Sequence, residues 1–138
     1  MATVTQGKFS MIETARWWLA LAAVNGLMGV AAGAFGAHGI SDPQVKEWLR
    51  TGAQYQLVHA VAGLACFSLL RAEVGPAAWA GWLFGLGALV FGGSLYLMAL
   101  TGARVLGAVT PIGGVLLILG WAALIYGAVA GMVVSGPR

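Results

Sequence analysis

Of the 138 residues, 60% are hydrophobic and only 8% are charged, and the mean hydropathy is +0.90. Soluble domains run near a quarter charged, so lipid rather than water is the expected solvent. The formal charge of +3 comes from seven basic residues scattered over ends and loops, which excludes the clustered basic stripe of a nucleic-acid surface.

The chain opens on a polar stretch, Met1 to Thr14, carrying Lys8 and Glu13. The first apolar run, Trp17 to Ala37, is too long for a signal-peptide core and is followed by further spans, so it is expected to be retained. Arg16, Trp17 and Trp18 suit the membrane interface at its start. Ser41 to Arg50 carries Asp42, Lys46, Glu47 and Trp48. It predicts a short interfacial helix beginning at Pro43, capped by Ser41 or Asp42.

The second run is Ala53 to Leu70, and the third, Ala77 to Leu100, opens with Trp79 and Trp82, expected on the same side as Trp17 and Trp18. Thr101 to Val109 predicts a loop holding Arg104 near the head groups. Thr110 and Pro111 then read as the N-cap and first residue of a last run that ends at Val134. A helix needs roughly 20 residues to cross a hydrocarbon core of about 30 Å, and all four runs are near or above that. Backbone groups in lipid must pair internally, which favours helices, and the alternating ten-residue strands of a barrel are missing. The expectation is an all-α integral membrane four-helix bundle with short loops, one domain over residues 1–138, with spans near 17–38, 52–70, 77–100 and 110–134.

With the N-terminus inside, Lys8, Arg16, Arg71 and Arg138 lie inside against Lys46, Arg50 and Arg104 outside. That bias points to both termini in the cytoplasm. The single cysteine, Cys66, allows no internal disulfide. Twenty-two glycines are explained by close helix approach in lipid. Three sets share a helical face by their steps of three and four: Asn25, Gly29 and Gly33; Gly81, Gly85, Ala88 and Gly92; Gly120, Ala123, Gly127 and Gly131. Trp121 falls mid-span, where an indole fills a bundle or a partner's groove rather than anchoring at an interface.

Polar side chains at membrane depth mark the candidate site. Span two holds Gln54, Tyr55, Gln56, His59 and Cys66, and Gln56, His59, Gly63 and Cys66 share a face expected to point inward. Asn25 lies halfway along span one, and Ser94 and Tyr96 lie in span three. His38 closes span one on the side where span two begins, so the two histidines are expected near one membrane face. They are weak candidates for a metal, for haem or for a proton relay. The favoured alternative is a buried hydrogen-bond network tying helices together. Neither H-x-x-x-H nor C-x-x-C occurs, no paired carboxylates fall in a span, and G-x-S-x-G and G-x-x-x-x-G-K are lacking.

Five motifs stand in order: GAFGAHG (Gly33–Gly39), QYQLVHA (Gln54–Ala60), GSLYLMALTG (Gly93–Gly102), Arg104 with Leu106-Gly107, and TPIGG (Thr110–Gly114) followed by Gly120-Trp121. From about Asn25 to Trp121 the chain resembles the small membrane-protein family, domain of unknown function 423, that includes transmembrane protein 256 and the bacterial YgdD-type proteins. The resemblance implies four helical spans in a bacterial inner membrane or in a mitochondrial or other eukaryotic membrane, and no known reaction. It carries over Phe35, Gly36, His38, Gln54, Tyr55, Gln56, His59, Ser94, Tyr96, Thr110 and Pro111. This chain has Gly39 where members often have an apolar residue, and Gly52 where they often have Ala, changes expected to loosen the corner between spans one and two.

The expected function is that of a non-enzymatic accessory, assembly or lipid-interacting bundle. Its partners would be membrane lipids and either further copies of the chain or a larger membrane complex, without nucleic acid. The first alternative is a small transporter or ligand binder using Gln56, His59 and Asn25. It resembles the small multidrug-resistance exporters in size but lacks their carboxylate within the first span. The second is a metal or haem site at His38 and His59. The sequence leaves any cofactor unknown.

Overall fold

The computed structural model describes the backbone of residues 2–134 and the side chains of residue 13 and residues 15–130. Four helices follow one another: α1 (Ala2–His38), α2 (Pro43–Arg71), α3 (Ala77–Thr101) and α4 (Thr110–Val134), with a 3-10 turn at Arg104–Ala108 before the last. All four are long and apolar enough to cross a bilayer. No strand occurs among the described residues. The architecture is an all-α, four-span helical bundle.

Asp42 caps α2: its carboxylate accepts from the Gln44 N–H at 2.8 Å and the Val45 N–H at 3.0 Å, and Pro43 follows where its missing N–H costs nothing. The helix that starts there does not stop at Arg50. The expected interfacial helix and span two are one continuous helix through Gly52, and the Tyr96 ring takes the space its missing side chain leaves. A Cβ at Gly52 would lie 2.5 Å from Tyr96 Cε1. Gly52 therefore lets α2 lie close against Tyr96 of α3.

α3 is the central helix. α1 packs on it through Trp18 against Gly81 and Leu21 against Gly85, α2 through Gln56 against Gly92, and α4 through Leu117 against Gly87. The second glycine set thus meets two different helices. The first set meets α2, with Gly29 against Leu57 and Gly33 against Ala53. In the last set, Gly120 receives the Phe84 ring and Gly127 rests on Pro76, while the side-chain position of Gly131 lies outside the described residues. Of the other three helices α4 packs mainly on α3, with one side-chain link to α2; there is no substantial α1–α4 packing among the described residues.

Trp18 corrects the expectation of two interface indoles. It is buried against Gly81 and meets Trp82 edge to face at 6.5 Å, whereas Trp17 is 71% exposed. The helix is already formed before residue 17, so neighbouring residues point about 100° apart and only one indole of the pair can face lipid. The Trp18–Trp82 contact puts the starts of spans one and three on one side, as expected. Exposed Trp17, Trp79 and Tyr126 surround that end as an aromatic belt.

At the other end, α3 stops at Gly102, whose φ of 72° needs glycine and whose N–H bonds the Met98 carbonyl at 2.8 Å. The segment expected as a plain loop then winds into the 3-10 turn.

Candidate functional site

The polar groups at membrane depth form three clusters, each between helices. The first joins α1, α2 and α3, and its polarity is set by what main-chain carbonyls can do. Asn25 Nδ2 donates to the Leu21 carbonyl at 2.9 Å and the Gly85 carbonyl at 3.0 Å. Carbonyls only accept, so this end of Asn25 must be its nitrogen, and its oxygen must face Gln56. Gln56 Nε2 donates to that oxygen at 2.9 Å, which leaves Gln56 Oε1 to accept from the Tyr96 hydroxyl at 2.8 Å. Asn25 and Gln56 are both 0% exposed. Every strong polar atom in this line has a partner, and no side chain in it can exchange one for a ligand without leaving another unpaired.

The second cluster joins α2 to α4. His59 Nδ1 stands 2.8 Å from the Tyr55 carbonyl, and Trp121 Nε1 stands 3.1 Å from His59 Nε2. An indole N–H only donates and a carbonyl only accepts, so His59 carries its hydrogen on Nδ1 and is neutral. Both of its ring nitrogens are engaged. Phe84, Tyr55 and Trp121 stand around the imidazole with centroids 5.5, 6.0 and 6.1 Å away. Tyr55 also stacks on Phe91 at 4.4 Å.

The third cluster fixes the start of α4. Ser94 Oγ donates to the Phe91 carbonyl at 2.9 Å and lies 2.8 Å from the Thr110 hydroxyl, which is therefore the donor between the two. The Thr110 side chain, expected to cap its own helix, ties that helix to α3 instead.

The sequence-predicted residues divide accordingly. Asn25, Gln56 and Tyr96 come together, as do Tyr55 and His59, and Ser94 joins Thr110. Gln54 does not join: it is exposed on the outer side of α2. Nor does His38, which is exposed at the end of α1. The helices are in register with Gly36 on Leu49 and Gly26 on Ala60, which puts His38 level with residue 47. His59 lies twelve residues further along, about 18 Å at 1.5 Å per residue. At that separation, and with both His59 nitrogens occupied, the fold does not bring the two histidines together. No group of three His, Cys, Asp or Glu side chains stands together among the described residues.

Charge is confined to the ends. The described ion pair is Arg50–Glu47 at 2.9 Å, exposed in the first turns of α2, where it contributes little. The Thr51 hydroxyl adds a bond to Glu47 at 3.2 Å.

Sequence reasoning missed the Trp121–His59 bond, although a mid-span indole was its signal. An N–H at that depth needs an acceptor, and span two offered a histidine at similar depth. It also missed the buried Trp18, whose Nε1 has no partner.

Comparison with known proteins fits this geometry. Residues 32–114 match the family model described as "Protein of unknown function (DUF423)". The chain is 43% identical over 112 residues to a UPF0382 membrane protein of Staphylococcus epidermidis, covering 78% of this chain and 91% of that one. The chain belongs to this family. It is 40% identical over 119 residues to the UPF0382 membrane protein YwdK of Bacillus subtilis, covering 81% and 95% of the two chains. It is also 40% identical over 124 residues to the UPF0382 inner membrane protein YgdD of Escherichia coli K12, covering 84% and 92%. No solved structure matches. Four apolar helices and relatives named as membrane proteins make this a multi-pass membrane protein of the inner-membrane type. None of these names states a reaction.

Proposed function

We propose that the protein is a non-catalytic bundle that works through its outer surface, as an accessory or assembly element among lipids and membrane proteins. The observation that carries this is the saturation of the polar groups at mid-span: Asn25, Gln56, Tyr96 and His59 are satisfied by one another, by Trp121 or by main-chain groups. A transporter needs polar groups that trade partners with a substrate or proton. Here each exchange would strand a buried partner at a cost of about 1–3 kcal/mol. Glu13, the carboxylate nearest span one, is exposed near the belt end and not within the bundle.

The charge bias places the termini and the turn at Gly75 on the cytoplasmic side; Lys8 and Arg138, which contribute to it, lie outside the described side chains. The reading is tested in liposomes. The purified protein is expected to give no proton flux above protein-free vesicles, with or without candidate cationic substrates, and to migrate in mild detergent with bound lipid or protein. Substrate-driven flux that disappears in His59→Ala would replace this proposal with the transporter. A Soret band or stoichiometric metal in the purified protein would replace it with a redox site.

A further inference from the structure

We infer that the outward face of α1 is the surface on which a second copy of this chain docks, two α1 helices running parallel about a two-fold axis. The inference rests on the surface-acting reading above and names the partner.

The face is defined by exposure. Trp17, Val24 and Leu27 are 71%, 47% and 71% exposed, and Ala20, Ala31 and Ala34 are exposed beside them. In chain order these six residues step by three, four, three, four and three. That alternation keeps one seam facing a partner when two helices wind around each other with a left-handed supercoil. Half of the seam is alanine. Small side chains let backbones approach, and in lipid close approach is what drives helices together. The outward face of α4 has similar spacing at Val115, Ile118, Ala122, Ile125 and Val129, but four of these five carry branched side chains and no charged residue lies within the helix.

Charge identifies the occupant. Glu13 continues the seam four residues before Trp17, and Arg16 flanks it one turn higher. Neither forms an ion pair among the described residues. Across a parallel two-fold the two Glu13 carboxylates meet at the seam, and the two Arg16 guanidiniums, about 4.5 Å further along the axis at three residues of 1.5 Å each, offset their charge. The face is thus complementary to itself, as a two-fold interface requires.

Cysteine cross-linking in native membranes tests this. Cys66 is fully buried, so the unmodified chain supplies the baseline. Ala20→Cys and Ala31→Cys are expected to form disulfide-linked dimers under mild oxidation at least about fivefold more than Ile118→Cys on α4, since only facing Cβ atoms can approach within about 4.5 Å. Glu13→Arg is expected to cut the Ala20→Cys yield, and adding Arg16→Glu to restore it. If one seam variant fails to insert, the other carries the same comparison. Equal yields at all three positions, or a yield indifferent to charge reversal, would overturn the second-copy assignment. A monomeric seam in a protein that still migrates with other membrane proteins would do so while leaving the surface-acting function standing; substrate-driven flux would remove that function instead.

Discussion

Gln56 is the side chain through which α1, α2 and α3 are held in one register. Its oxygen serves Tyr96 and its nitrogen serves Asn25, so one substitution strands groups on two other helices. Gln56→Leu is expected to lower stability by about 2 kcal/mol or more, the cost of leaving buried polar groups unpaired. Gln54→Leu, two residues away but facing outward, is expected to change little. Unfolding of both variants in mixed detergent micelles compares them directly, and equal midpoints would refute the network's role. Trp121→Phe keeps a ring against Phe84, 4.9 Å away by centroid, but removes the N–H that reaches His59. A loss of about 1 kcal/mol is expected, as for other bonds between membrane helices. Nitrogen NMR of His59 should show a neutral ring protonated at Nδ1 in the unmodified protein, and the variant should shift only the Nε2 resonance strongly.

At the scale of elements, the glycines decide which helix can lie against which. Gly113 has no room for a methyl: a Cβ there would overlap the backbone nitrogen of Phe91, which cannot swing aside. At Gly114, one residue on, the nearest atom would be 3.9 Å away. Gly113→Ala is therefore expected to push α4 off α3 and cost about 1–3 kcal/mol. Gly114→Ala is expected to be neutral or slightly stabilising, because alanine is the better helix former. A thermal melt in detergent of the pair separates packing from any general intolerance of change. Such contacts were partly legible beforehand. Spacing put Gln56, His59, Gly63 and Cys66 on one face of α2, and all four are buried. What spacing could not supply was the partner of each position. Gly81 and Gly92 lie on one stripe of α3, yet one receives an indole from α1 and the other an amide from α2. Nor could it supply the partner of Gly52, a tyrosine 44 residues later whose ring fills the gap.

At the scale of the molecule, placement in a membrane was readable from composition alone, because four segments with so few charges have no other solvent. The relation of the two histidines was not. His38 lies at the end where spans one and two meet and His59 near mid-bundle; chain order makes α1 and α2 antiparallel but does not reveal the register that holds His38 level with residue 47. The same antiparallel order makes a prediction about sidedness. The corner at Ser41 and the turn after Gly102 close one end of the bundle, and the turn at Gly75 closes the other. With Cys66 buried and unreactive, a membrane-impermeant maleimide can be applied to spheroplasts carrying single cysteines at these places. Ser41→Cys and Ala103→Cys should react together, and Gly75→Cys only after permeabilisation. Labelling of Ser41→Cys and Ala103→Cys from opposite sides would contradict the four-span topology itself. Joint protection of those two with Gly75→Cys exposed would preserve the topology and reverse the orientation, which rests on one basic residue more on the terminal side. The two outcomes separate what the packed helices dictate from what charge balance only biases.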